Sequence, residues 1–302
     1  MLNLTRPEGS QPRDFHLSRR GVAAVFFSGY AAAAMSAEAE PIHTDEAGLV
    51  IEAPELPTQG QKINAYVARP KAAGRFPVVI VVNEVFGIHD YIKDICRRLA
   101  KVGYAAIAPN FFIRAGDPAP LADMSAVMKI VAQASDAQVM GDVGATLRFL
   151  KGRPWADASK VAVTGFCWGG KVVWLAAETY PEIKAGAAWY GRMAPPAGAA
   201  VNPAMMWPVQ MAGKLKAPVL GLYGALDQGI PMESIEAMRA ALAAAGKTGS
   251  EIVVYPDAGH GFHADYRPSY VATAANDGWK RMLAHFAANG VAPKAKAGSR
   301  LA

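Results

Sequence analysis

Cysteine is scarce in this chain: only Cys96 and Cys167 occur among 302 residues. Two thiols cannot build a disulfide-stapled scaffold or a zinc ribbon, and these two form no Cys-x-x-Cys redox pair. Charge is also sparse, at 19% of residues. The formal net charge is +6, yet several of the basic residues lie in scattered pairs. The only basic cluster near a terminus is Lys294, Lys296 and Arg300, and no interleaving of aromatic and basic residues marks a nucleic-acid groove. Beyond the N-terminal region no run is long and apolar enough to cross a bilayer. What the chain does have is a hydrophobic fraction of 52%, enough for one well-filled core. Its 29 glycines and 21 prolines point to many turns between short elements.

Near the N-terminus, Ser18-Arg19-Arg20 precedes an uncharged stretch from Gly21 to Ala37, and Ala37-Glu38-Ala39 supplies a small-x-small site. Charged, apolar and small-residue regions in that order are the pattern of an export signal, and the paired arginines suggest the twin-arginine route, which carries folded proteins. The competing reading is an N-terminal helix that stays attached to the domain or to a membrane. The expected division is an export segment over 1–39, a catalytic domain over 48–290 and a short basic tail over 291–302. A functional signal implies a periplasmic or secreted protein with no stable membrane span in its mature form. Without one the protein stays in the cytoplasm.

Strand and helix patterns alternate along the rest of the chain. Gly48 to Pro57 and Gln61 to Ala68 suit two antiparallel strands around Gly60. Short apolar runs at Phe76 to Val82, Tyr104 to Pro109, Val161 to Thr164, Ala185 to Tyr190, Val219 to Tyr223 and Ile252 to Tyr255 suit strands buried on both faces. Helical patterns at Ile92 to Lys101, Leu121 to Gln133, Asp136 to Leu150, Trp168 to Thr179, Met232 to Ala245 and Ser269 to Ala288 fill most of the intervals. Cys96 falls on the apolar stripe of the first of these, which predicts a buried filler and no reactive role. The alternation predicts an α/β fold with a mostly parallel central sheet and helices on both faces. The proline-rich segment Gly191 to Lys216 is read as a long excursion on the ligand side.

The chemistry concentrates at three strand ends. In Gly165-Phe166-Cys167-Trp168-Gly169, glycines flank Cys167 at plus and minus two, as a nucleophile on a tight strand-to-helix turn requires. The helix that begins beside it favours a thiolate. Asp227 follows the strand Val219 to Tyr223, and His260 follows the strand Ile252 to Tyr255; ligand sites of open α/β sheets form at these carboxyl ends. Any one of the three has an ordinary alternative: a small buried hydrophobe for Cys167, a turn former for Asp227, a surface or core residue for His260. The order nucleophile, acid, histidine is that of an α/β-hydrolase fold. In that reading His260 exchanges a proton with Cys167, and Asp227 fixes the imidazole.

Asn83-Glu84-Val85-Phe86-Gly87 directly follows the strand Phe76 to Val82. The backbone N–H groups of Val85 and Trp168 are the expected oxyanion donors. Glu84, a carboxylate beside a buried strand, needs a partner, either the thiol of Cys167 or an arginine. Arg114 lies beyond the strand Tyr104 to Pro109, where it could anchor a substrate carboxylate. His89, His263 and Asp265 only imitate a metal cluster, because the spacing lacks a zinc-site pattern. No metal and no cofactor is expected.

Together these motifs resemble the dienelactone hydrolase, or carboxymethylenebutenolidase, family over roughly residues 60 to 290. The resemblance implies a triad of Cys167, Asp227 and His260. It also implies that Glu84 contacts the resting thiol until substrate binds, and that Arg114 recognises a substrate carboxylate. A second family arginine is expected four residues after the histidine; Ala264 stands there, with Arg267 nearby. The implied reaction is hydrolysis of a small ester or lactone, with an anionic one in keeping with the family, through a thioester on Cys167. Enolate-like leaving groups are favoured because a thiolate itself leaves readily from the tetrahedral intermediate. A monomer is expected. The rival function is a non-catalytic, exported small-molecule-binding protein on the same fold.

Overall fold

The computed structural model describes residues 41–293 apart from 197 and 199–201. The export segment at 1–39 and the basic residues Lys294, Lys296 and Arg300 lie outside the described residues. The first expected strand divides in two, β1 (Leu49–Glu52) and β2 (Glu55–Pro57), which pair antiparallel with opposite ends of β3 (Lys62–Pro70). Pro54, which has no N–H to give a ladder, falls at the break, and its carbonyl accepts from Ala65 N at 2.9 Å.

Next come β4 (Phe76–Val82), helix α1 (Asp90–Lys101) and β5 (Ala105–Pro109). Ile92, Ile95, Cys96 and Leu99 of α1 are all sealed from solvent. Helix α2 (Met124–Val131) is shorter than its apolar pattern, because Asp123 caps it by accepting from Ser125 N and Ala126 N. Helix α3 (Asp136–Lys151) leads to β6 (Ala156–Phe166), then α4 (Trp168–Thr179) and β7 (Ile183–Trp189). The proline-rich excursion holds only a single-turn helix, α5 (Pro208–Met211), and a 3-10 turn at Ala212–Lys214. The chain finishes with β8 (Val219–Gly224), α6 (Met232–Ala244), β9 (Glu251–Tyr255) and α7 (Ala272–Ala288).

The strands order as β1-β3-β5-β4-β6-β7-β8-β9. From β5 to β9 every neighbouring pair is parallel, and only the pairings of β3, with β1, β2 and β5, are antiparallel. This is the α/β-hydrolase architecture, and its topology fixes where the site lies. The chain leaves β4 to form β5 on one side, then crosses to form β6 on the other. Such a reversal opens a crevice at the carboxyl ends of the two central strands. The loop at Asn83 and the turn at Cys167 leave those two ends. Helix α4 is buried nearly all round, from Gly169 to Glu178, as expected of a helix carrying Val172, Val173, Trp174 and Leu175 between other layers.

Candidate active site

Cys167 occupies a backbone conformation that a side chain rarely adopts, with φ 57° and ψ −114°; strain of this kind costs about 1–3 kcal/mol. Its surroundings impose the geometry. Its N–H donates to the Trp189 carbonyl at 3.0 Å, and its carbonyl accepts from Gly170 N at 3.0 Å as α4 begins. The flanking glycines are steric requirements. A Cβ on Gly165 would lie 2.4 Å from the Gly169 carbonyl oxygen, and one on Gly169 would lie 2.5 and 2.6 Å from the carbonyls of Val82 and Asn83. The turn at Cys167 is thereby pressed against the end of β4. This brings Val85, Cys167 and Trp168 to one wall of the same chamber.

The acid and the histidine arrive from β8 and β9. Asp227 is almost wholly buried; one carboxylate oxygen accepts from Gly229 N at 2.8 Å, and the other lies 2.7 Å from His260 Nδ1. The imidazole is also close enough to Cys167 for the two side chains to interact. Burial is the largest single influence on His260 and would push its pKa down. The charges of Cys167 and Asp227, with the hydrogen bond to Asp227, outweigh it and lift the pKa to about 10. Tyr190, itself at φ 37°, sets its ring edge-on to His260 at 5.2 Å between centroids.

Glu84 departs from the role the resemblance implies. Its carboxylate, fully sealed from solvent, is not given to the thiol. One oxygen lies 3.1 Å from Arg267 Nη2; the other accepts from the Tyr266 hydroxyl at 2.6 Å and lies 3.3 Å from His89 Nε2. Burial, the largest single influence, would raise its pKa, but the Arg267 charge and then His89 and Tyr266 bring it down to about 2. The arginine, the second partner considered from sequence, is the one found. The Arg267 guanidinium rests over the Phe86 ring at 5.0 Å and is close enough to Cys167 for their charges to interact.

The structure does not bring Arg114 to this site. Both ends of its guanidinium clamp Asp142, at 2.7 and 2.8 Å, and it also donates to Thr58 Oγ1 at 2.5 Å. It is absent from the chamber lining, so a residue expected to bind substrate joins two elements of the scaffold. His263 is likewise structural. Its Nδ1 is 2.6 Å from the Tyr91 hydroxyl, its ring packs against Trp189 and Trp279, and burial, then the Arg98 charge, push its pKa down to about 3. Among the described residues no group of three His, Cys, Asp or Glu is placed to hold a metal ion.

Residues 63–290 match the dienelactone hydrolase family. The chain belongs to that family. It is 48% identical over 279 residues to a protein of Methylorubrum extorquens named "Putative carboxymethylenebutenolidase", covering 91% of this chain and 94% of that one. A Salmonella typhimurium protein of the same name is 48% identical over 265 residues, covering 87% and 96%. Among solved structures, the "Putative Dienelactone Hydrolase" of Klebsiella pneumoniae superposes with a TM-score of 0.75 at 47% identity, covering 79% of this chain and 98% of that one.

For a dienelactone hydrolase family member, this enzyme has a chamber built by residues that sequence reasoning did not single out. The space beside Cys167 measures about 940 Å³ and is walled by α2, the start of α3 and the proline-rich excursion. Lys171, one helical turn beyond Cys167, donates to both oxygens of Asp136 at 2.7 and 2.9 Å and lies over the Trp207 ring at 4.8 Å. Asp136 also accepts from Met206 N at 2.7 Å. The one available signal was the density of prolines between Gly191 and Lys216, which placed the excursion on the ligand side without saying which of its side chains face inward.

Proposed function

We propose that this enzyme hydrolyses activated carboxylic esters or lactones through a covalent thioester on Cys167. One observation carries the reading: a strained cysteine at the switch point of the sheet interacts with an imidazole whose Nδ1 lies 2.7 Å from a buried carboxylate. A protonated imidazole favours the thiolate beside it, so attack needs no prior proton transfer to a base. Sγ adds to the carbonyl carbon, and the carbonyl oxygen takes the electron pair while the Val85 and Trp168 amides hold it. Collapse expels the alcohol oxygen, which takes the proton from His260. Water then adds to the thioester carbonyl as His260 removes its proton, and expulsion of Sγ releases the carboxylic acid.

Intact mass of the enzyme mixed with 4-nitrophenyl acetate and quenched within the first turnover tests the reading. An acetyl adduct mapped to the peptide containing Cys167, absent in Cys167→Ala, is expected. Undiminished turnover by Cys167→Ala defeats it. The Arg19-Arg20 pair and the uncharged stretch behind it support export in the folded state; Arg19→Lys with Arg20→Lys should then hold the enzyme in the cytoplasmic fraction. An unchanged distribution between fractions counts against export by that route.

A further inference from the structure

We infer that the chamber selects esters or lactones carrying a bulky, predominantly apolar group, in place of small charged lactones; this rests on the catalytic reading above and names the substrate class of the same site. Its volume, about 940 Å³, lies near the top of the range for pockets that enclose drug-sized ligands, roughly 300–1,000 Å³. A compact lactone would leave most of it filled with water. The lining is mainly apolar, with Met128, Val131, Pro195, Met205 and Trp207 among its members. Met205 is 47% exposed, which leaves thioether surface open to a ligand, and methionine adapts to irregular apolar shapes.

Two charged members of the wall, Asp136 and Lys171, are arranged to hold it in place. Asp136 ties three elements together, gripping Lys171 of α4 and the backbone of Met206 in the excursion while it opens α3. Lys171 in turn backs the Trp207 ring. A wall fixed this way costs little ordering when ligand binds. Arg192 also lines the chamber. Of the other cations nearby, Lys171 is neutralised by Asp136, and Arg114 is bound by Asp142 outside the chamber. Ala264 supplies no charge where the family resemblance placed a second arginine, and Arg267 is paired with Glu84.

The test is a series of 4-nitrophenyl esters from acetate through octanoate to 4-phenylbutanoate, with kcat/KM measured for each. The leaving group is constant, so the ratio to acetate reports the acyl site. A second series of acetates with enlarging aryl alcohols reports the alcohol site. At least one series should rise by roughly tenfold or more with size. Met128→Trp, and independently Ala132→Trp should the first fail to fold, should lower that ratio at least fivefold by filling the chamber. Ratios at or below one in both series, or a ratio untouched by a folded plugging variant, overturn the inference while leaving Cys167-dependent acetate turnover and the catalytic reading intact. Absence of Cys167-dependent turnover on every ester defeats both.

Discussion

Glu84 Oε1 and Arg267 Nη2 stand 3.1 Å apart in a region sealed from solvent, joining the loop that follows the central strand β4 to the segment that follows His260. A buried pair of this kind contributes little relative to apolar packing, but it is costly to break, because the survivor keeps its charge without a counterion. Arg267→Met should destabilise the fold by about 3–5 kcal/mol, and the double variant Glu84→Gln with Arg267→Met should regain a substantial part of that loss. Urea midpoints at constant m-value measure both. Equal losses in the single and double variants would mean that the pair is not coupled.

The same carboxylate sets an acid limit. The folded-state pKa of Glu84, about 2, is below the unfolded value of about 4.3. Its contribution is therefore fully present above pH 4.3 and is lost as pH falls toward 2. Wild type should lose stability through this window more steeply than Glu84→Gln, which has no proton to take up. Parallel melting curves across pH 2–5 would contradict the assignment.

His260 works in the opposite direction. Its folded-state pKa near 10 exceeds the unfolded value of about 6.5, so its stabilising contribution is complete below pH 6.5 and disappears as pH rises through 10. Asp227→Asn removes one of the charges that keep the imidazole protonated. It should lower kcat/KM for 4-nitrophenyl acetate by about 10²–10⁴-fold, and NMR of the imidazole should show its titration shifted to lower pH. A proton titrating at the same pH in the variant would show that Asp227 does not tune the histidine.

The places of Cys167, Asp227 and His260 in the fold were legible in the sequence because local rules fix each one. Steric need for glycine at 165 and 169 marks the turn, and strand ends mark Asp227 and His260. Arg267 was visible only as a displaced charge. Its pairing with Glu84 depends on how the 261–271 segment folds back: Ala264 N donates to the Gly261 carbonyl, and Val271 N to that of Phe262. Arg114 misled for a related reason. It stands on the expected rim, but nothing local announces that Asp142, a full 28 residues later, turns a carboxylate toward it. Strand and helix positions were readable from apolar runs. The ends of elements were less so, since caps and breaks such as Asp123 and Pro54 decide them.

Glu178, near the end of α4, is buried with both carboxylate oxygens lacking a hydrogen-bond partner among the described residues. Burial raises its pKa to about 9, against a smaller opposing pull from Lys214. The folded chain thus keeps a proton that the unfolded chain releases near pH 4.3, and Glu178 weakens the fold progressively as pH rises from about 4.3 to 9. Glu178→Gln should raise the melting temperature at pH 8 and leave it nearly unchanged at pH 4. A lower melting temperature at pH 8 would show that the ionised carboxylate is satisfied.

Arg114 offers the sharpest separation of a scaffold role from a substrate role. Its guanidinium meets both oxygens of Asp142, whose side chain is only 2% exposed, while its own is 20% exposed. Solvent at the arginine softens the interaction, so Arg114→Ala should cost about 1–3 kcal/mol, mainly from stranding the buried Asp142. Arg114→Ala with Asp142→Asn should be more stable than Arg114→Ala alone, because no carboxylate is left uncompensated. A substrate anchor would show itself differently: the variant would raise KM for carboxylate-bearing esters while sparing uncharged ones. The clamp predicts the same KM ratio for charged and uncharged esters in wild type and in any Arg114 variant that remains folded. A selective rise in KM for the charged ester would return Arg114 to the substrate site.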